Sequence, residues 1–487
     1  MNARVARSRA VAGLALFSLG ACSLAPTYRQ PVLPVPPSFP TGPAYAPQSD
    51  AGVPSYSYVQ VFADPRLLAI IDQALANNQD IKAAAANIAA ARARYRIQRA
   101  ELLPEINATA GVTHIDPSRS GSGGTSAQTK NSYTAQASIP GYEVDLFGRI
   151  RSLGNAAQDR YFASEAAARA TRLALVADVA DAWLDYAADS SLLQLAQDTV
   201  VAARKSVDLT AKRLNGGIAP RSDLRQAELT LHSAEADVAE QTTALAQDRN
   251  ALELLVGTPV DTARLATSIS DAGAHFAEVP AGLDSSILLR RPDVMQAEYE
   301  LRATTAEIGA ARAALFPQIS LTGLLGFTST ALGALFTGDS FAWQAGANAS
   351  YSIFTGGAGR ANIALSKAQR DAALASYRKA IQSAFSDVAD ALARRGTIQT
   401  QLAAVGAQRD AAADNYHLAD LRYHGGITSY LESLTAQQAL YSAQRTLVTT
   451  QLVRANNLVG LYRAIGGDAP GEKDAPRDAG TRTPPVN

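Results

Sequence analysis

The chain has 487 residues, enough for two or three ordinary domains, and it carries 44 basic and 44 acidic residues. The resulting formal net charge of zero excludes the basic surface expected of a nucleic-acid-binding protein. Aromatic residues make up only 6% of the chain while alanine is abundant, which favours closely packed helices over a bulky globular core. No stretch of about 18 or more consecutive apolar residues occurs, so we expect no helix that crosses a membrane.

Residues 1–21 are predicted to be an export signal peptide. Three arginines lie within residues 4–9, and the apolar stretch over residues 11–19 is too short to cross a membrane. Residues 19–22, at the end of this segment and just after it, read Leu-Gly-Ala-Cys, which resembles the lipobox of bacterial lipoproteins. Cys22 is the only cysteine of the chain, so we predict that it carries a covalent lipid, such as palmitate, and that no disulfide forms. The alternative is an ordinary secretory signal followed by an incidental cysteine.

The residue after the cysteine bears on where a lipoprotein is sorted. By the rule for such lipoproteins, Ser23 rather than aspartate at this position implies the outer membrane. Residues 22–63 are predicted to be a lipid-anchored, extended N-terminal segment, because five prolines lie between residues 31 and 40. Proline fixes φ and lacks an N–H, so residues 24–56 should not form a helix.

Residues 64–257 are predicted to form a first repeat of helix, β-hairpin, long helix and helix. Alanine and leucine recur at helical spacing from Asp64 to Leu103, where Pro104 stops the pattern. Strict apolar–polar alternation then predicts two strands, joined by a Gly/Ser-rich loop over about residues 116–131. The elements that follow the first helix are strands at about 105–114 and 132–143, a long helix at 149–214 and a helix at 221–256.

The chain repeats itself about 210 residues later, which indicates a duplicated unit. Val179-Ala-Asp-Ala recurs as Val388-Ala-Asp-Ala, and Gly216-Gly-Ile recurs as Gly425-Gly-Ile. A second repeat is therefore predicted at 291–467, after a connector at 258–290 and before a disordered, proline-rich tail at 468–487. Its elements are a helix, strands at about 318–327 and 342–354, a long helix at 360–424 and a helix at 428–460.

The strands have the length and pattern of transmembrane β-barrel strands, with one apolar and one polar face. The alternative is a soluble sheet of two hairpins with one wet face. Four strands cannot close into a barrel, so strands that lie in a membrane must be pooled by several chains. Three chains would give twelve strands, although this argument does not by itself fix the number three.

The long helices carry the second architectural signal. Residues 155–215 contain neither glycine nor proline, and residues 360–424 contain only two glycines. Helices of this length need coiled-coil or bundle partners. A double glycine ends each of them, so each repeat is predicted to contain a long helical hairpin that turns at Gly216-Gly217 or Gly425-Gly426.

In this order, the motifs give the chain a family resemblance. It resembles the TolC-like outer-membrane factors of tripartite efflux pumps, in the lipid-anchored OprM/NodT-like group. The motifs that carry the resemblance are Cys22 followed by Pro26-x-Tyr28-x-x-Pro31, Asp145-Leu-Phe-Gly-Arg149, Arg290-Arg-Pro-Asp-Val294, Arg312-Ala-Ala-Leu-Phe-Pro317 and the two Gly-Gly-Ile turns.

The resemblance implies a mainly α fold with a β-barrel part. A homotrimer would form a twelve-stranded outer-membrane β-barrel, a twelve-helix periplasmic α-barrel and a mixed equatorial belt. The belt would contain the N-terminal segment, residues 258–290 and the C-terminal tail. The protein would lie in the cell outer membrane, lipid-anchored and extending into the periplasm.

The implied function is a passive exit duct for drugs or other small toxic compounds. Its partners would be a periplasmic adaptor (membrane fusion) protein, an inner-membrane pump of RND type and outer-membrane lipid, but no nucleic acid. A duct for polypeptide secretion or metal-ion efflux is the nearer alternative, and a non-channel periplasmic scaffold lipoprotein is the alternative of a different class. No catalytic constellation occurs, so we predict no enzyme, no metal site and no cofactor besides the lipid on Cys22.

The resemblance places the functional residues at the periplasmic turns. Tyr423 and Glu432 are predicted to form a gate together with Thr435 and with Asp223, the first-repeat counterpart of Glu432. Thr435 stands where aspartate is common in the family, and Glu432 could instead be a solvated carboxylate in the first turn of a helix. The predicted adaptor-docking tips are Gly216, Gly217, Ile218, Gly425, Gly426 and Ile427.

Overall fold

The computed structural model describes residues 23–45, 57–115, 130–276 and 284–467. The predicted signal peptide, the predicted lipid-attachment residue Cys22, the predicted tail at 468–487 and most of the Gly/Ser-rich loop lie outside the described residues. Within those ranges, the structure contains no helix whose length and apolar character would suffice to cross a membrane.

The chain divides into two compact units. The first, here called the strand unit, consists of the chain up to Val32 together with Asn87–Glu165 and Gln296–Tyr377. The second, here called the helical unit, consists of Leu33–Ala86, Ala166–Met295 and the chain from Arg378 onward. Each unit therefore draws on both predicted repeats.

The elements follow one another in the order that the two repeats predict. The helices are α1 Tyr58–Val61, α2 Pro65–Asn77, α3 Gln79–Ala100, α4 Arg149–Asn215, α5 Arg221–Val256, α6 Ile269–Ala272, α7 Pro292–Ala313, α8 Ala358–His424 and α9 Tyr430–Ala464. The strands are β1 Asn107–Ile115, β2 Lys130–Glu143, β3 Gln318–Ser329 and β4 Phe341–Ser350.

The four strands form one antiparallel sheet in the order β1-β2-β3-β4. Its register aligns the apolar residues of all four strands, because directly opposed residues share a face. Ala108 lies opposite Ala137, which lies opposite Leu325, which in turn lies opposite Trp343. The adjacent row on the other face runs from Asn107 through Ser138 to Leu324 and Gln344, and so is mostly polar. The sheet thus has one continuous apolar face.

The fourth strand is shorter than predicted. The alternating pattern predicts a strand to residue 354, but β4 ends at Ser350. Ser350 pairs with Gln318, the first residue of β3, so the residues after it have no partner strand to continue the ladder. Alternation alone does not show where the neighbouring strand begins.

The first predicted helix is also wrong in one respect. The structure has two helices, α2 and α3, in place of one continuous helix over 64–103. Asn78 interrupts them with an extended backbone, and its side-chain Oδ1 accepts hydrogen bonds from the backbone N–H groups of Asp80 and Ile81. Asparagine therefore acts as the N-cap of α3.

The predicted extended segment at 22–63 contains one helical element. Tyr58–Val61 form the short helix α1, where Ser57 and Gln60 make a reciprocal capping box. The predicted connector at 258–290 also contains short helices. It contains α6 and short 3₁₀ helices at Thr262–Arg264, Gly273–His275 and Ser285–Arg290.

The core of the helical unit joins both repeats. Trp183 of α4 and Tyr462 of α9 are almost fully buried, together with Phe62, Ile70 and Leu252. The Trp183 indole Nε1–H donates to the Arg264 carbonyl oxygen at 3.0 Å, which satisfies the one polar group of this side chain. The connector is thereby attached to the long helix α4.

The Arg-Arg-Pro-Asp-Val motif forms a polar junction in the helical unit. The Arg291 guanidinium donates to both carboxylate oxygens of Asp293, to Asp387 of α8 and to the Ala464 carbonyl at the end of α9. Because only 9% of Arg291 is exposed, this one side chain fixes the start of α7 against two other helices.

Candidate functional site at the helical turns

The two helical hairpins turn through the same backbone motif. After α4, Ile218 N–H donates to the Arg213 carbonyl and Gly217 N–H donates to the Leu214 carbonyl, each at 2.9 Å. After α8, Ile427 and Gly426 make the corresponding bonds to Arg422 and Tyr423, at 2.9 and 3.0 Å. These pairs of bonds define a Schellman motif, which needs a left-handed residue after the helix. The predicted helix stops are therefore real turns of one type.

Only the second glycine of each pair adopts the left-handed conformation. Gly217 has φ +75° and Gly426 has φ +73°, whereas Gly216 and Gly425 do not lie in the left-handed region. The sequence could not distinguish the two glycines of a pair, because both fit a helix-stop signal. In the structure, Gly217 and Gly426 are the residues that need the left-handed backbone conformation, which glycine adopts without strain.

Gly217→Ala is expected to destabilise the first turn by about 1–2 kcal/mol, the cost of placing a Cβ in the left-handed region. A Cβ at Gly217 meets no neighbouring group within 4 Å, so the cost arises from the backbone alone. Gly216→Ala is the matched control, because its Cβ would make ordinary contacts at 3.4 Å. Hydrogen exchange of the amides at the end of α4 measures the effect. Equal exchange in the two variants would contradict the assignment.

Tyr423 lies inside the tip of the helical hairpins. Only 4% of it is exposed, and it packs with Tyr430, Leu434 and Ala227 in a small hydrophobic cluster. Its ring centroid lies 5.3 Å from that of Tyr430, and its hydroxyl lies 3.2 Å from the Thr210 Oγ1 of α4. The residue predicted as a gating hydrogen-bond partner thus joins the two hairpins within one chain.

Arg213 is the functional candidate that sequence reasoning missed. Its guanidinium carbon lies 4.3 Å from the centre of the Tyr423 ring, and its Nη2 donates to the carbonyls of Tyr423 and His424 at 2.9 and 3.1 Å. A cation at the C-terminus of α8 is stabilised by the helix dipole as well as by the ring. The available signal was the duplication itself, since Arg213 and Arg422 occupy equivalent positions of the two turns.

Glu432 is paired in the structure. Its Oε1 accepts a hydrogen bond from Arg422 Nη1 at 2.7 Å, and both side chains are about half exposed. The carboxylate also lies in the first turn of α9, where the helix dipole favours a negative charge. Thr435 is exposed and donates its hydroxyl to the Leu431 carbonyl of its own helix. The two residues are therefore held by α8 and α9, not by the first hairpin.

Asp223 lies in the first turn of α5, as Glu432 does in α9. It is half-buried, and the Ser222 hydroxyl donates to it at 3.4 Å. Arg225, two residues further along α5, forms an ion pair with Glu228 of the same helix at 2.5 Å. Within the described chain, the structure therefore brings Tyr423 together with Thr210 and Arg213, but it does not join Asp223 to Glu432.

A stripe of aspartates forms a second candidate feature, on α4. Asp181 and Asp185 follow Asp178 at helical spacing, and Asp248 of α5 lies near Asp189 and Asp185. Burial, followed by repulsion from Asp185 and Asp178, raises the pKa of Asp181 to about 7. Burial and the neighbouring Asp189 raise the pKa of Asp248 to about 7 as well. None of the described His, Cys, Asp and Glu side chains form a group that could hold a metal ion.

These aspartates predict that stability falls as pH rises. An exposed aspartate has a pKa of about 3.9, so between about pH 4 and 7 Asp181 and Asp248 bind more protons in the folded chain than in the unfolded chain. The stabilisation should be complete below about pH 4 and disappear as the pH passes 7. Thermal denaturation of wild type and Asp248→Asn should show a weaker pH dependence in the variant. Asp208→Asn, at an exposed position of α4, is the control and should follow wild type.

Comparison with known proteins identifies the family. The sequence model of outer membrane efflux proteins matches residues 70–258 and 283–467, well over half of the chain. The chain belongs to the outer membrane efflux protein family. It is 42% identical over 457 residues to the toluene efflux pump outer membrane protein TtgC of Pseudomonas putida, with 93% of each chain covered.

Two further relatives support the same assignment. The outer membrane protein OprJ of Pseudomonas aeruginosa is 37% identical over 454 residues, which cover 93% of this chain and 94% of OprJ. The crystal structure of the open state of the MtrE outer membrane channel from Neisseria gonorrhoeae has a TM-score of 0.82 at 35% identity. It covers 92% of this chain and 99% of MtrE.

Membership in the outer membrane efflux protein family decides several predictions. The family resemblance and the mainly helical fold class with a strand part are confirmed. The protein is an outer-membrane component of an efflux system and not an enzyme. The roles of the individual tip residues stay predictions.

Proposed function

We propose that three copies of this chain assemble into a passive duct through which small toxic compounds leave the cell across the outer membrane. The observation that carries the proposal is the sheet, which has a continuous apolar face and two unpaired edges. Within the described residues β1 pairs only with β2, and β4 pairs only with β3. Unpaired strand edges are not tolerated in lipid, so the strands of several chains must close on one another. Three chains give a twelve-stranded barrel, an ordinary size.

The apolar face is suited to lipid in its composition. Leu325 and Trp343 lie directly opposite each other, and 56% and 72% of their surfaces are exposed in the single chain. An exposed apolar face of this kind marks a surface that lies against lipid or a partner. The opposite face, with residues such as Thr109, Gln136 and Asn348, would line the water-filled duct.

The geometry of the helical turns supports the proposal that a periplasmic adaptor docks there. The adaptor would connect the duct to an inner-membrane pump of RND type. Ile218 and Ile427 project from the two Schellman turns with 80% and 72% of their surfaces exposed. These two apolar side chains lie at equivalent positions of the two turns, where they could pack against apolar residues of an adaptor's helical hairpins. Tyr423, Arg213 and the Arg422–Glu432 pair would hold the tip closed, and Thr435 and Asp223 would face the pore beside them.

The substrates follow from the relatives. TtgC is a toluene efflux protein by name, so aromatic solvents and similar small hydrophobic compounds are the proposed cargo here. Polypeptides and metal ions are the alternative cargoes, and the test below distinguishes them from small hydrophobic compounds. A lipid on Cys22 would hold the protein at the periplasmic side of the outer membrane.

The test uses the purified full-length protein in planar lipid bilayers. Discrete, stable conductance steps from a verified trimer are the expected result, and a verified oligomer without conductance would favour a scaffold lipoprotein. Deletion of the gene should sensitise cells to toluene without changing protein secretion or metal tolerance. Loss of secretion or of metal tolerance alone would overturn the proposed cargo and leave the duct intact.

A further inference from the structure

The segment that follows the lipobox lies along helix α7 in the strand unit. The Arg312 Nη1 donates to the Leu24 carbonyl at 3.0 Å, and the Tyr28 hydroxyl donates to the Glu298 Oε1 at 3.2 Å. Arg312 lies near the end of α7 and Glu298 near its start, so the segment runs antiparallel to the helix. The Pro-x-Tyr-x-x-Pro motif, which the efflux function leaves unexplained, belongs to this contact.

The segment approaches α7 at a glycine. A Cβ added to Gly309 would lie 2.6 Å from the Ala25 Cβ, 2.7 Å from its Cα and 2.8 Å from its backbone nitrogen. These distances are far below van der Waals contact, and two of the three atoms belong to the backbone. Position 309 therefore has to be glycine for the segment to lie where it does, even though alanine is the better residue for a helix interior.

A polar cluster holds the other end of the segment. Glu298 accepts hydrogen bonds from the Tyr28 hydroxyl, from Gln30 Nε2 and from Arg302 Nη2. The Arg302 guanidinium also lies over the Tyr28 ring, 4.8 Å from its centre. Burial, together with the negative charge of Glu298, raises the pKa of Tyr28, so its hydroxyl remains a donor. The segment is thus held at two points of α7, one in the first half of the helix at Glu298 and one near its C-terminal end at Arg312.

We infer that residues 23–31 form a strap that seats on α7 and holds the N-terminal anchor at a fixed point of the protein. This inference rests on the proposed lipid at Cys22. Leu24, two residues after Cys22 in the sequence, is bound by Arg312 near the end of α7, six residues before β3 begins at Gln318. A lipid on Cys22 would therefore be attached two residues from a fixed point of the chain. Without the strap, the lipid would be attached through a flexible tether whose reach grows with its length.

The strap contains a trypsin cleavage site that can report whether it is seated on α7. Arg29 is exposed and lies between Tyr28 and Gln30, which both bind Glu298, so trypsin can cut after it once the strap opens. Cleavage of such a segment follows the population of its open form. In the purified wild-type protein the fragment of residues 22–29 should be released slowly. Gly309→Ala should accelerate its release about tenfold or more.

The matched control is Gly154→Ala in α4, since a Cβ there meets no neighbouring group within 4 Å. It should release the fragment at the wild-type rate. Tyr28→Ala should also accelerate release of the fragment. Because this substitution lies in the strap and leaves α7 unchanged, it still tests the inference if Gly309→Ala fails to fold. Fast release of the fragment from wild type would overturn the inference. Equal release rates in wild type, Gly309→Ala and Tyr28→Ala would overturn it as well.

The mass of the released fragment separates this inference from the proposed lipid anchor. Slow release of an acylated fragment supports both. Slow release of an unmodified fragment keeps the strap and refutes the anchor. Fast release of an acylated fragment keeps the anchor and refutes the strap.

Discussion

Tyr423→Ala is expected to open the periplasmic tip and to raise the conductance of the assembled channel. The ring is buried and contacts α9 through Tyr430 and α4 through Thr210 and Arg213. Truncation of a buried aromatic side chain costs about 3–5 kcal/mol. The hydrophobic cluster around Tyr423 is small and separate from the main core, so the loss should appear as local opening and not as global unfolding.

Single-channel recordings in planar bilayers measure this effect. Tyr423→Phe is the graded control, because it removes only the hydroxyl contact with Thr210, worth about 1 kcal/mol, and should change the conductance much less. A double-mutant cycle with Arg213→Ala should be non-additive, since the two side chains touch. An unchanged conductance in a folded Tyr423→Ala trimer would exclude Tyr423 from the gate.

Arg291→Ala is expected to destabilise the helical unit by about 3 kcal/mol, the lower end of the range for removing one partner of a buried ion pair. The lower end applies because Asp293 and Asp387 are about half exposed and can be solvated when the arginine is lost. The variant also leaves the Ala464 carbonyl at the end of α9 without its donor.

Thermal denaturation of the detergent-solubilised protein measures the loss. Arg290→Ala, at the exposed neighbouring position, should change stability by less than about 0.5 kcal/mol. Arg291→Lys should be intermediate, because an ammonium keeps the charge but cannot make the bidentate contact with Asp293 and reach Asp387 as well. Equal stability of the Arg290 and Arg291 variants would contradict the proposed junction.

Much of the fold could be predicted because its signals are local. The strands β1–β4 follow from apolar–polar alternation, and α4 and α8 follow from long stretches almost free of glycine and proline. The errors lie where a distant partner decides. β4 stops at Ser350 because β3 begins at Gln318. Asn78, which separates α2 from α3, is held by a distant group, since its Nδ2 donates to the Leu255 carbonyl at 2.8 Å.

The candidate site was predictable only in part. The duplication marks the two turns, and the resemblance adds Tyr423 and Glu432. It does not reveal Arg213, whose partners lie about 210 residues away in the sequence. A family pattern also gives no measure of burial, so it cannot show that Tyr423 lies inside the tip while Thr435 is exposed.

By itself, the sequence determined the two repeats, the order of their elements and the places where the hairpins turn. These depend on backbone preferences and on periodicity, which act over a few residues. Only the tertiary structure decided that equivalent arginines differ, with Arg422 bound to Glu432 of its own hairpin and Arg213 bound to Tyr423 of the other. It also placed Ala25 against Gly309. The reason is physical, since both contacts join segments far apart in the chain whose approach is set by the packing of whole helices.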